Sequence, residues 1–168
     1  MMHFTVSVLD AGVAKGLRKI REKMDYPFPL YRKIGLLYVD NAKMRFKSHT
    51  DPKGRNWKHN TTATRFLKKV GLKKRKPAIR GEYAIGTWTG NLAESIWFNI
   101  RGNEISVGVM SNEPSSRYSS TFQFGAKRGE FSETAPWNTI PPRQFLGFNK
   151  VTNNKAIDLI KNHFTENK

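Results

Sequence analysis

A chain of 168 residues, 38% hydrophobic and 12% aromatic, holds enough apolar material for a packed core, so a wholly disordered chain is excluded even at a mean hydropathy of −0.62. No cysteine is present, which excludes a disulfide framework, a thiolate zinc site, an iron–sulfur cluster and a cysteine nucleophile. The net charge of +17 attracts nucleic acid, anionic lipid or an acidic protein. That charge is unevenly placed: residues 1–80 carry 21 Lys and Arg against 5 acids, residues 81–168 carry 9 against 8, and residues 41–80 hold 14 basic residues with Asp51 as their one acid. Solvated faces normally mix both signs, so this stretch is read as a contact surface.

The start of the chain shows no basic stretch followed by an apolar run, and no segment reaches the ~18 uninterrupted apolar residues of a membrane span, so neither a leader nor a span is expected. Residues 3–9 place Phe4, Val6 and Val8 on one parity and read as a half-buried strand. Residues 11–24 space Val13, Leu17, Ile20 and Met24 as the stripe of an amphipathic helix with Lys15, Arg18, Lys19 and Arg21 outside it. Pro27 and Pro29 stop this helix. Residues 30–47 are the strongest helix signal: Leu30, Ile34, Leu37, Tyr38 and Met44 form one face, Leu36, Val39 and Phe46 widen it, and so broad an apolar arc implies burial between layers. Residues 48–60 read as loop, and Thr61 or Thr62 caps a short helix to Val70. Lys73-Lys74-Arg75-Lys76-Pro77 cannot pack, so about 72–87 is expected to be a mobile basic insertion in one domain spanning 1–168.

From Asn91 to Ile100 and from Glu104 to Val109, two strands around Arg101-Gly102-Asn103 predict a hairpin. A short helix over 117–124 presents Tyr118, Phe122 and Phe124, and residues 137–148 are extended and Pro-punctuated. Thr152 caps a last helix whose Ala156, Ile157, Ile160 and Phe164 share a face. The fold class is α+β: N-terminal helices on a small, mainly antiparallel sheet, closed by a C-terminal helix.

Several distinct motifs occur along this frame, each once. They are Lys43-Met44-Arg45-Phe46 leading to Asp51-Pro52-Lys53-Gly54-Arg55-Asn56-Trp57, Thr89-Gly90-Asn91-Leu92 with Ser95-Ile96, Ile105-Ser106-Val107-Gly108, Phe122-Gln123-Phe124-Gly125, and Ile140-Pro141-Pro142-Arg143-Gln144-Phe145-Leu146-Gly147. In order and spacing, over about residues 4–165, the chain resembles the phage virion morphogenesis family, the Mu-like and P2-like tail completion proteins of the phage neck. It departs from that pattern in the longer basic insertion and in Tyr118-Ser119 where Tyr-Ala is usual. The resemblance implies a structural virion protein, found in the host cytoplasm during assembly. In that role it forms a ring of copies of itself, six being the usual number, that joins the tail to the DNA-filled head. Its implied partners are the tail terminator or tube, the head-completion or connector proteins, and genomic DNA passing through the neck. No membrane and no cofactor are implied.

On physical grounds Pro52 and Gly54 suit a tight turn that delivers Trp57 to the core. Phe124-Gly125 reads as a chain reversal with an aromatic plug. Arg143 either clamps carbonyls and carboxylates or reaches a neighbouring subunit. The rigid prolines, the guanidinium fork and the apolar area beside it make Arg143, Phe145 and Leu146, with Phe122 and Phe124, the candidate interface residues. Lys68, Lys69, Lys73, Lys74, Arg75 and Lys76 are the candidate basic patch. Catalysis is not expected: His3, His49, His59 and His163 lack ligand spacing, no carboxylate cluster suits two metals, and no nucleophile-elbow, Walker or kinase signature occurs. The alternative of another class is a nucleic-acid-binding module that grips phosphates with 41–80. Phe46, Trp57 and Phe66 are too few for a stacking platform there.

Overall fold

The computed structural model describes residues 11–62, 66, 91–131 and 139–165. The expected strand at 3–9, most of the helix expected to end at Val70, and the basic insertion at about 72–87 lie outside the described residues. Along the chain come α1 (Ala11–Asp25), α2 (Phe28–Ser48), a single turn α3 (Asn91–Glu94), strands β1 (Ile96–Arg101) and β2 (Glu104–Val109), α4 (Ser116–Phe124) and α5 (Lys150–Thr165). The architecture is α+β, as the pattern of elements implied.

The central element is α2. Pro27 sits just before it and Pro29 in its first turn, where the missing N–H has no helical acceptor to lose. His49 ends it in the left-handed conformation at φ 56°. One side of α2 carries the hairpin and another carries α5, so the helix lies between layers. Its inner face runs through Leu30, Gly35, Val39, Ala42 and Phe46. The expected face was differently centred: Ile34, Leu37 and Tyr38 are only half-buried, and Leu36 and Met44 are exposed. Gly35 explains the shift, because the ring of Phe98 packs directly on it, and a Cβ there would stand 2.4 Å from Phe98 Cδ2. The hairpin chose the position without a side chain, not the most hydrophobic one.

In the hairpin, Ile96 pairs with Val109 and Arg101 with Glu104, antiparallel throughout. Gly102, at φ 57°, makes the two-residue reversal with Asn103. The first strand is shorter than expected, since Asn91–Glu94 is helical. Ser95 decides this: its N–H donates to the Asn91 carbonyl at 2.9 Å and its hydroxyl to the Leu92 carbonyl at 3.0 Å, bonds that close a turn and compete with extension. The Ser95 and Ser115 hydroxyls, both buried, meet at 2.6 Å and tie the base of the hairpin to the approach to α4.

In α5 the cap is Asn149, whose Oδ1 accepts from Thr152 N–H at 2.7 Å; the expected cap, Thr152, is instead buried within the first turn, one turn before Ala156. Ile157, Ile160 and Phe164 point away from that inner face and are exposed. The core itself is Val39, Ala42, Phe46, Trp57, Leu92, Ala93, Ile96 and Phe145.

Candidate functional site

Sequence motifs up to 102 residues apart meet around one extended segment, 140–147. Its first residues are held by backbone: Ile140 and Ala126 exchange N–H···O bonds at 3.0 and 2.8 Å, and Arg143 N–H donates to the Phe122 carbonyl at 2.8 Å. The approach is close enough to require Gly125, at φ 80°, since a Cβ there would fall 2.6 Å from the Ile140 carbonyl oxygen.

Side chains hold the rest. Gln123 Oε1 accepts from the N–H groups of Phe145 and Leu146 at 2.9 and 3.0 Å, and its Nε2 donates to the Leu146 carbonyl at 2.9 Å. Arg45, buried in α2, donates Nη1 to the Phe145 carbonyl at 2.7 Å and Nη2 to the Gly147 carbonyl at 3.0 Å. Trp57 Nε1 donates to the Gln144 carbonyl at 3.1 Å. The backbone groups of the buried Phe145 and of Leu146 are thus all partnered although the segment has no regular structure, which is the condition for burying it. Beneath it Phe46 stacks on Phe122 at 5.6 Å, Trp57 stands edge-on to both at 5.3 and 5.4 Å, and Phe145 closes against Phe46 at 5.2 Å.

The turn that delivers Trp57 is built on Asp51. Its Oδ1 accepts the backbone N–H groups of Lys53 and Arg55 at 2.8 and 2.9 Å, and its Oδ2 accepts Arg55 Nε at 2.7 Å. Gly54 completes the turn at φ 80°. Burial pushes the Asp51 carboxyl up, but the hydrogen bonds from Arg55 and Lys53, together with the Arg55 charge, outweigh burial and hold it below the usual carboxylate range. Burial lowers the pKa of both Arg45 and Arg143, for Arg45 against an opposing pull from Asp51.

Of the expected interface residues, three are spent inside the subunit. Phe145 is 1% exposed and Phe122 lies in the aromatic cluster. Arg143, 8% exposed, donates Nε to the Lys58 carbonyl at 3.2 Å and Nη2 to Asn60 Oδ1 at 3.5 Å, with its guanidinium 5.7 Å from the Phe122 ring centre. Its geometry is that of a clamp. Leu146 is half-buried, and Phe124 stands 72% exposed at one end of the pinned segment. At the other end is Phe148, 76% exposed and edge-on to Tyr38, which the sequence pattern had not singled out. Lys68, Lys69, Lys73, Lys74, Arg75 and Lys76 lie outside the described residues. The residues missed were Arg45 and Gln123. Each stood inside a quoted motif, and a polar residue next to an aromatic of the core cluster was the signal available.

Beside the segment, between α2, β2 and Phe148, is an open hollow of about 400 Å³ lined by Ile34, Tyr38, Ala42, Arg45, Ile105 and Val107 among others. With no carboxylate, thiol or imidazole in its wall, it offers an apolar seat and no acid–base pair. Among the described residues no group of three His, Asp or Glu could hold a metal ion, and no helix is long and apolar enough to cross a membrane.

In comparison with known proteins, the model of the phage virion morphogenesis family matches residues 8–165. No curated protein and no solved structure matches the chain.

Proposed function

The chain belongs to the phage virion morphogenesis family, a structural family and not an enzymatic one, and on that premise we propose that it completes the tail at the neck of the virion, as a ring that joins the tail to the DNA-filled head. As a phage tail protein of the virion it works by binding other virion proteins. The observation that supports the joining role is the pinned segment. A ring must carry load across subunit boundaries without its contact strands shifting, and 140–147 is irregular backbone fixed by Gln123, Arg45 and Trp57, with Phe124 and Phe148 exposed at its two ends. Large aromatics presented from a rigid base lose little entropy when they dock. A head-to-tail contact between identical subunits closes into a ring, and six copies are the expected number.

The charge of +17 fits the same place, since the inner wall of a neck ring faces the passing genome. The decisive experiment removes the protein from an infection and supplies it in trans. Separate full heads and tails without it, and joined particles with it, are expected, with a ring at the tail end by electron microscopy. Normally joined particles in its absence would refute the reading. If instead the purified protein is a monomer that binds DNA, and replacing Lys73, Lys74, Arg75 and Lys76 by Ser abolishes that binding and virion yield together, the nucleic-acid-binding module replaces it.

A further inference from the structure

Helix α1 has the sequence of a core helix and the exposure of a surface one. Leu17, Ile20 and Met24 recur at helical spacing, yet they are 62, 42 and 64% exposed. α1 rests on α5, whose outward residues Ile157, Ile160 and Phe164 are exposed as well. Single exposed apolar residues are ordinary, but here each of two helices in contact exposes three of them at helical spacing. The polar side of α1 is basic: Lys15, Arg18, Lys19, Arg21 and Lys23 stand against Glu22 and Asp25.

From this pairing of apolar stripe and basic flank we propose that α1, with the outer stripe of α5, docks into an apolar groove rimmed by carboxylates on another virion protein. The proposal rests on the reading of the chain as a structural joint and names the chemistry of its partner. A second copy of this chain is a poor occupant, because α1 against α1 would set basic flank on basic flank in a protein already at +17. Duplex DNA would satisfy the flank and leave Leu17, Ile20 and Met24 in water. A lipid surface favours several aromatic anchors in the apolar stripe, whereas α1 has none and the outer stripe of α5 has only Phe164, 36% exposed. An acid-rimmed groove meets both parts of the helix at once, with the apolar stripe supplying affinity and the flank supplying rate and orientation.

The test uses heads and tails purified from particles assembled without this protein, each pelleted with the full-length protein. Wild type is expected to bind one of them, with binding that weakens as salt rises. The double variant Leu17→Ser/Ile20→Ser, at exposed positions and so expected to melt like wild type, should bind at least roughly tenfold more weakly. Arg18→Glu/Arg21→Glu should lose binding at low salt and differ least from wild type at high salt. A folded Leu17→Ser/Ile20→Ser protein that binds as wild type does would overturn the docking proposal alone. Wild type that binds neither heads nor tails would overturn the joining function and the docking with it. Loss of self-association in the Ser variant with particle binding retained would give the face to a second copy and overturn the acidic partner. Loss only of binding to phosphatidylserine-containing vesicles would give it to a lipid surface, with the same result for the proposal.

Discussion

Replacing Gln123 by Ala removes three hydrogen bonds from backbone that has no other partner for them: two N–H groups, of Phe145 and Leu146, and the Leu146 carbonyl. Each such bond contributes about 1 kcal/mol net, so three give a loss of about 3 kcal/mol. The value leans upward because Phe145 is 1% exposed and its freed N–H cannot easily be rehydrated. It leans downward if the space left by the side chain admits a water molecule. For a chain of this size each kcal/mol moves the melting temperature by about 2–4 °C, so a fall of about 6–12 °C is expected. Thermal melting followed by circular dichroism measures it. Gln123→Met is the informative companion, since it keeps the volume and loses the bonds, and it should fall nearly as far as Ala. A loss below about 2 °C in Gln123→Ala, or full retention of stability in Gln123→Met, would refute the argument that these bonds hold the segment.

At Gly35 an added Cβ meets the Phe98 ring at 2.4 Å, so Gly35→Ala should cost about 1–2 kcal/mol, overpacking outweighing the gain in helix propensity. The double variant Gly35→Ala/Phe98→Leu should recover part of that loss in denaturant melts, and additive losses would place the clash elsewhere. Because the Asp51 carboxyl is held below its usual range in the folded chain, its stabilising contribution is present above the unfolded carboxylate value and is lost as pH falls through the folded one. Wild type should therefore lose stability on acidification below about pH 4 more steeply than Asp51→Asn, and parallel curves of melting temperature against pH would contradict this. Phe124→Ser, at a position 72% exposed, should melt within about 1 °C of wild type and reduce the yield of joined particles; normal yield would remove Phe124 from the subunit contact.

Arg143 shows where a linear reading stops. An arginine between Pro142 and Gln144, flanked by apolar residues, has two uses that look alike in sequence, a clamp within the subunit and a contact beyond it. The choice depended on whether acceptors from elsewhere would face it, and the Lys58 carbonyl and Asn60 Oδ1, more than 80 residues earlier, do so. The centring of α2 has a similar cause. Hydrophobicity ranks Met44 and Leu36 above Gly35, but close packing of the hairpin ranks them the other way. Gln123 was invisible because the backbone it binds lies some 22 residues away; Asn149 acts only three residues on, and there Asn149 and Thr152 were both eligible caps.

What residue order alone determined was the punctuation of the chain and its family. Proline placement set the break between α1 and α2, Gly102 made the reversal of the hairpin, Pro52 and Gly54 made the turn that delivers Trp57, and the succession of motifs identified a structural virion family. Those features arise from backbone sterics and short-range periodicity, which act between neighbours in the chain. Tertiary structure alone decided which apolar stripes would be buried. The stripe of α1 and the outer stripe of α5 satisfy the helical period as well as α2 does, yet they face solvent, because burial needs a second surface and the described fold places none against them.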